Sequence, residues 1–353
     1  MMKKFLSMLY VLFLSAALLA GCSFTSAKSA PKPASTSEGK ASASEIEASA
    51  AEPVDVNIMA LKGPTAMGMV QFMSQSDSGA LTDNHYNFTI AAAVDEVTPK
   101  LVQGEIDIAA VPANLSSVLY NNTKGGIEVL AINTLGILYI VESGGTVASI
   151  EDLRGKTIYA SGKGATPEYA LNYILTKNNI DPAADVNIEW KSEHAECLAA
   201  LMAEENAIAM LPQPFVTTAQ IKSKSIRVAL DLNKEWDTLQ ENNDKPSALI
   251  TGVVVARREF VEINPGAVSA FMDHYRSSVE FVNTSVAEAA QLAGKYDIVP
   301  AAVAEKALPA CNITFLDGAK LKEKLSGYLT VLLEQNPAAV GGELPADDFY
   351  YAR

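Results

Sequence analysis

Apolar positions along this chain follow two rhythms, and the chain switches between them at regular intervals. Val54, Val56 and Ile58 stand at every second position and lead into an apolar run, which predicts a strand over Val54–Leu61. After Gly63-Pro64 the spacing turns helical over Thr65–Gln75. Strands follow over Asn87–Ala92, Ile106–Val111 and Val129–Asn133, separated by helices over Val94–Val102 and Ala113–Tyr120. The rhythm restarts after Ser149. Lys156–Ala160, Val186–Trp190, Ala207–Leu211 and Ile226–Leu230 read as strands, with helices over Thr166–Lys177 and Glu193–Ala203. Leu249–Ala256 is a long apolar strand with Thr251-Gly252 inside it, and the remainder reads as helices over Pro265–Asn283, Val286–Lys295, Ala301–Leu308 and Ala319–Glu334. Short strands alternating with helices predict an α/β fold with a largely parallel sheet.

One stretch echoes another. Gly104-Glu-Ile-Asp-Ile-Ala-Ala-Val-Pro112 resembles Glu204-Glu-Asn-Ala-Ile-Ala-Met-Leu-Pro212, 100 residues later. Each is a helix end, a polar turn, a buried strand and a Pro that opens the next helix. Two lobes built on one plan would produce this; so would two βα turns that resemble each other by chance.

The start of the chain follows another pattern. Lys3 and Lys4 precede an uncharged apolar run from Phe5 to Ala20, which ends in Leu19-Ala20-Gly21-Cys22. This is the layout of a signal peptide over 1–21, with a run too short for a comfortable membrane span of about 20 apolar residues. Cys directly after Leu-Ala-Gly resembles the bacterial lipobox, which implies cleavage before Cys22 and acylation of that Cys. Residues 23–52 are mostly Ser, Ala, Lys, Glu and Pro, with Phe24 and Ile46 the only large apolar side chains. Such a stretch reads as a flexible tether, so the folded part is expected from about Val54 onward.

Composition narrows the partners. A chain that is 49% hydrophobic has enough apolar residues for a sizeable core. Its formal charge is −14, and −16 once Lys3 and Lys4 are removed with the signal peptide. Without a Lys/Arg cluster this excludes nucleic acid, whose phosphates it repels, and leaves membrane anchoring to the lipid. Cys197 and Cys311 are the only other cysteines. They could pair in an exported protein, but they are read as two separate buried thiols, because a bridge between lobes would lock a hinge.

In open α/β sheets, ligands bind beyond the carboxyl ends of the strands. Four turns mark those ends: Lys62-Gly63-Pro64-Thr65, Val111-Pro112-Ala113-Asn114, Ser161-Gly162-Lys163-Gly164-Ala165-Thr166 and Leu211-Pro212-Gln213-Pro214-Phe215. Gly lets backbone approach a ligand, Pro fits a first helical turn, and a helix N-terminus offers free N–H groups to an anion. The same residues also serve ordinary βα turns, and Glu168 could itself satisfy the helix end behind Thr166. No Arg stands in these turns.

Enzymatic signals are weak. There is no Gly-x-Ser-x-Gly elbow. Gly155-Lys156-Thr157 looks like a P-loop end, but the upstream Gly position holds Ile150. Gly162-x-Gly164 lacks a third Gly. His194, flanked by Glu193 and Glu196, could be drawn as a metal corner but reads better as a polar helix start. Met67, Met69 and Met73 could line a pocket but read better as core. No catalytic residue, metal site or cofactor is expected.

With these pieces placed, the chain resembles the solute-binding lipoproteins of ABC importers, and is most similar to the nitrate/sulfonate/taurine and thiamine-precursor branch. The residues that carry this are Leu19–Cys22, Gly104-Glu-Ile-Asp-Ile-Ala, Ile150-Glu-Asp-Leu-Arg-Gly-Lys-Thr-Ile158, Leu211-Pro-Gln-Pro-Phe215 and the ending Gly341-Gly-Glu-Leu-Pro-Ala-Asp-Asp-Phe-Tyr350. The resemblance implies a two-lobed periplasmic-binding-protein-like fold of type II, with two crossover segments and a ligand cleft between the lobes. Lobe 1 is expected over 53–138 and 252–353, lobe 2 over 139–251, with crossings near Leu138–Ser149 and Ala248–Val254. Ligand contacts are expected at Gly63, Pro64, Thr65, Ala113, Asn114, Thr134, Gly164, Ala165, Thr166, Gln213, Pro214, Phe215 and Thr251. The implied function is capture of a small polar organic solute, either a sulfonate- or nitrate-like anion or a pyrimidine vitamin precursor. Delivery would be to a permease and its ATPase. The protein is expected as a monomer outside the cytoplasmic membrane, anchored through Cys22. An enzyme or a ligand sensor on the same scaffold are the alternatives.

Overall fold

The computed structural model describes residues 52–241 and 247–353. The segments expected as signal peptide and tether, with Cys22 between them, lie outside the described residues. In chain order, β1 (Asp55–Leu61) leads through α1 (Pro64–Met67) and α2 (Val70–Asp77) to β2 (His85–Ala91), α3 (Val94–Gln103), β3 (Ile108–Pro112), α4 (Ala113–Asn122) and β4 (Ile127–Leu135). A second series follows: β5 (Leu138–Ser143), β6 (Thr157–Ser161), α5 (Thr166–Lys177), β7 (Asn187–Lys191), α6 (His194–Ala203), β8 (Ile208–Pro212), α7 (Phe215–Lys222), β9 (Ile226–Asp231) and α8 (Leu232–Gln240). The chain then returns through β10 (Ile250–Arg257), α9 (Arg258–Ile263), α10 (Pro265–Thr284), α11 (Val286–Lys295), α12 (Ala301–Ala307), β11 (Ile313–Leu316) and α13 (Gly318–Gln335).

These strands form two sheets, with orders β11-β4-β10-β3-β1-β2 and β7-β6-β8-β5-β9. Neither is purely parallel. In the first, β10 runs antiparallel between β3 and β4; in the second, β5 runs antiparallel between β8 and β9. The other strand pairs along the βα units are parallel. Apart from the edge strand β11, the two sheets therefore share one plan, in which the odd strand is supplied by the chain as it passes between them.

The echo heard in the sequence belongs to this shared plan. β3 and β8 hold the same place, beside the antiparallel strand, and α3 and α6 lie 100 residues apart from first to last residue. Even the caps agree. Glu96 accepts the N–H of Ala92 at 3.0 Å, and Glu196 accepts that of Ser192 at 2.9 Å. Each carboxylate satisfies an orphan donor ahead of the first helical turn.

Four expectations are corrected. Leu138–Ser143 is not a crossing but a buried strand; the chain changes sheets at Gly136-Ile137. The helix expected over Thr65–Gln75 is two helices, broken at Gly68, where a Cβ would stand 3.1 Å from Ile313 and 3.2 Å from the Tyr275 hydroxyl. The close approach of β11 and α10 selects glycine there, and glycine ends the helix. α8 was masked by its polar face, although Leu232 and Trp236 are buried. β11 was hidden among helices because it is only four residues long.

Both faces of the first sheet are covered. One meets α2, α10 and α11 through Ile58, Phe72, Phe271 and Val254; Met67, Met69 and Met73 belong to this core. The other meets α13, whose Tyr328 and Leu332 also join Tyr169, Tyr173 and Trp236 beside the second sheet. Cys197 and Cys311 are free and buried, one on α6 and the other just before β11. Among the described residues, no helix is long and apolar enough to cross a membrane.

Candidate functional site

The two passages between the sheets lie side by side, and this sets where the sheet ends meet. β4 ends at Leu135 and β5 begins at Leu138, which pairs with Pro212 at the carboxyl end of β8. A Cβ on Gly136 would lie 2.5 Å from Asn233 Oδ1 and 2.9 Å from Leu249 Cδ2, so the outgoing and returning segments touch. The carboxyl rims of both sheets therefore border one hinge. Two further bonds cross between them: the Tyr139 hydroxyl donates to the Ala310 carbonyl at 3.2 Å, and the Tyr328 hydroxyl to Thr166 Oγ1 at 3.1 Å.

On the first rim, β10 slips register against β4 on either side of Gly252, so Thr251 and Asn133 are extra residues in their strands. Such bulges bend a strand end and re-aim its side chains. A Cβ on Gly252 would meet Asn133 Oδ1 at 2.5 Å, Thr65 Cγ2 at 2.9 Å and Thr134 Cβ at 3.3 Å. Gly252 also pairs with Pro112, which places Ala113 and Asn114 alongside. The expected residues Thr65, Ala113, Asn114, Thr134 and Thr251 are thus gathered around one glycine. Thr65 and Thr251 spend their hydroxyl protons on the Leu61 and Leu135 carbonyls, at 2.7 and 2.6 Å. Asn114 donates weakly to the Ala339 carbonyl at 3.4 Å. Its Oδ1 and Thr134 Oγ1 are buried without a partner. Gly63, at φ 127°, takes a backbone conformation that L side chains rarely adopt.

On the second rim, Gly162 and Gly164 both have positive φ, and Glu168 Oε2 accepts the Gly164 N–H at 2.6 Å. The carboxylate thus takes a place that an anion would need. Gly164 is exposed, Ala165, Pro214 and Phe215 are half-buried, and Thr166 and Gln213 are buried. Gln213 Oε1 accepts the Thr217 hydroxyl at 2.9 Å, so its carbonyl caps α7. Thr166 accepts from Tyr328 and keeps its own proton to donate.

Sequence reasoning missed a polar group here. Ser161 Oγ lies 2.5 Å from His194 Nδ1, and the imidazole stacks obliquely 5.2 Å from Phe215. His194 is the helix start that was foreseen, but its partner comes from the neighbouring strand, 33 residues earlier, which no local pattern reveals. Asn133 and Tyr328 were missed for the same reason: one is a bulge residue and the other lies on a distant helix.

Burial lowers the His194 pKa from 6.5 to about 4. The unfolded chain therefore binds a proton below pH 6.5 that the folded chain refuses until about pH 4, and stability falls as pH drops through that window. The limit for this group is about 3 kcal/mol, from about 1.36 kcal/mol per pH unit. His194→Gln should flatten the loss of urea stability between pH 7 and pH 4.5; an unchanged slope would show that the imbalance lies elsewhere.

A groove of about 420 Å³ lies at the far end of the first sheet, lined by Val102, Gly104, Gly126, Arg257, Arg258 and Glu262 among others. Its arginines are held by Asp107 and Glu259, and by Glu128 and Asp348. These ion pairs fasten strand and helix ends together, away from the hinge.

The family model for the ABC transporter, phosphonate, periplasmic substrate-binding protein matches residues 80–247. That match spans a little under half of the chain, which is similar to this family over that stretch. That family is one of binding proteins and not of enzymes. The fold agrees. An ABC transporter structure from Parabacteroides distasonis is similar, with a TM-score of 0.70, 21% identity and coverage of 84% of this chain and 99% of the other. The periplasmic aliphatic sulphonate binding protein SsuA from Escherichia coli gives 0.65, 15%, 84% and 96%. The periplasmic nitrate-binding protein NrtA from Synechocystis PCC 6803 gives 0.56, 15%, 84% and 83%. No curated protein matches the sequence. The chain thus shares the fold of these structures, two mixed sheets with helices, whose rims here meet at a double crossing.

Proposed function

We propose that this chain is an extracytoplasmic receptor, lipid-anchored through Cys22, that captures a small polar organic solute and passes it to an ABC permease and its ATPase. The observation that carries the reading is the double crossing at Gly136 and Leu249, beside which both carboxyl rims lie. A hinge at that place lets a solute touch both rims only when the lobes close, so binding favours the closed form. The first rim contributes Gly63, Pro64, Thr65, Ala113, Asn114, Thr134 and Thr251. The second contributes Gly164, Ala165, Thr166, Gln213, Pro214 and Phe215. Sulphonate and nitrate, named for two similar structures, and pyrimidine vitamin precursors are the solute classes to test first. The receptor acts as a monomer.

Calorimetric titration of the full chain with members of these classes tests the capture step. Saturable binding that raises the melting temperature is expected, because a ligand specific to the native state stabilises it by mass action. Absence of binding by every class would overturn the proposal. For the anchor, Cys22→Ser should move the protein from the membrane fraction to the soluble fraction; retention in the membrane would remove the lipid from the reading.

A further inference from the structure

Resting on the solute-binding reading, we infer that the solute is an uncharged molecule bearing both hydrogen-bond donors and acceptors, recognised by amides, hydroxyls and an imidazole. An ion pair is not the recognition device.

The positive charge of this protein is already spent. Among the described residues every arginine is committed to a carboxylate. Arg154 holds Glu151 and Asp185, Arg227 holds Glu142, and Arg257 holds Asp107. Arg258 holds Glu128, Arg276 holds Asp317, and Arg353 holds Asp273. Guanidinium groups are the usual bidentate clamp for oxyanions. Two lysines stand in the rim turns. Lys62 reaches to Asp297 at 3.4 Å, and Lys163 is exposed on the glycine turn, where Glu168 already takes the Gly164 N–H. A carboxylate at that position opposes an approaching anion.

The atoms left waiting are uncharged. Asn114 Nδ2 points to the Ala339 carbonyl, which fixes its amide orientation and leaves Oδ1 as the unpartnered atom. Asn133, at 0% exposure, sets its amide toward the buried Tyr275 hydroxyl and so is not counted as waiting. A buried carbonyl oxygen without a donor is costly. Sulfonate and nitrate groups carry acceptors only, so they cannot serve Asn114 Oδ1. A solute with N–H or O–H groups can. Thr134 Oγ1 can accept or donate, and Thr166 retains a proton to give. On the opposite rim, burial keeps His194 uncharged at neutral pH, so with Ser161 it offers one donor or acceptor and no charge. Phe215 beside it gives a flat apolar face.

Calorimetry on the full chain in detergent, at 50 and 300 mM NaCl, tests this with two groups of probes. Cytosine, nicotinamide and inositol are neutral donor–acceptors; ethanesulfonate, nitrate and methylphosphonate are anions. At least one neutral probe should bind, with a Kd that changes less than about twofold with salt, since screening acts on charges. Thr134→Val should weaken that binding about tenfold while leaving the melting temperature of the free protein equal or higher, because the lost hydroxyl has no partner to miss. Lys163→Ala should change the Kd less than about twofold. Binding of an anion, weakened several-fold by salt or by Lys163→Ala, would overturn the inference and leave the solute-binding reading standing. No binding by either group would overturn both.

Discussion

Tyr328→Ala should cost about 3–5 kcal/mol, among the largest losses for any single truncation in this protein. Tyr328 is fully buried on α13, 5.7 Å from the Trp236 ring, and its hydroxyl donates to Thr166. Truncation leaves a cavity between α13 on one side and α5 and α8 on the other. It also takes away one of the bonds that tie the two rims. Tyr328→Phe keeps the packing and loses only the hydrogen bond, so it should cost about 1 kcal/mol. Urea denaturation of both variants separates the two contributions. Equal losses would mean that the hydroxyl, and not the ring, holds the rims together.

Gly136→Val should destabilise by about 1–3 kcal/mol, as overpacking does, and should also weaken solute binding. The new Cβ would stand 2.9 Å from both the Asn233 Cβ and Leu249 Cδ2, and 2.5 Å from Asn233 Oδ1. Leu249 lies on the returning segment and Asn233 on α8, so relief must come from shifting these side chains or the backbone at the first crossing. Adding Asn233→Ala should restore part of the stability, because neighbours in contact are not additive. Strictly additive losses would show that residue 136 and Asn233 do not press on one another.

How much of this could be read beforehand depends on where the information sits. Thr166–Lys177 and Val286–Lys295 were bounded to the residue, because their starts and apolar spacing are local. Leu138–Ser143 was mistaken for a linker. A strand whose partners are Pro212 and Asp231 announces itself only through pairing that lies some 70 to 90 residues away. The rim turns were legible because Gly and Pro punctuate them. Their chemistry was not: whether Thr65 spends its proton on Leu61, or Gln213 its carbonyl on Thr217, is decided by rotamers within a turn already formed. Glu168 is the exception. Its place three residues into the helix signalled that it would cap the glycine turn, and it does.

The antiparallel strand at the heart of each sheet also imposes an order of events during synthesis. Every strand of the second sheet lies between Leu138 and Asp231, so that sheet can close as soon as this continuous stretch has left the ribosome. The first sheet cannot. Its first four strands are made early, but β3 and β4 have no partner on their facing edges until Ile250–Arg257 arrives between them. For more than a hundred residues of elongation the nascent chain carries two open, largely apolar strand edges of the kind that recruit other chains. A chain stopped between Asp231 and Ile250 would therefore carry a closed second sheet behind a first sheet that cannot seal itself.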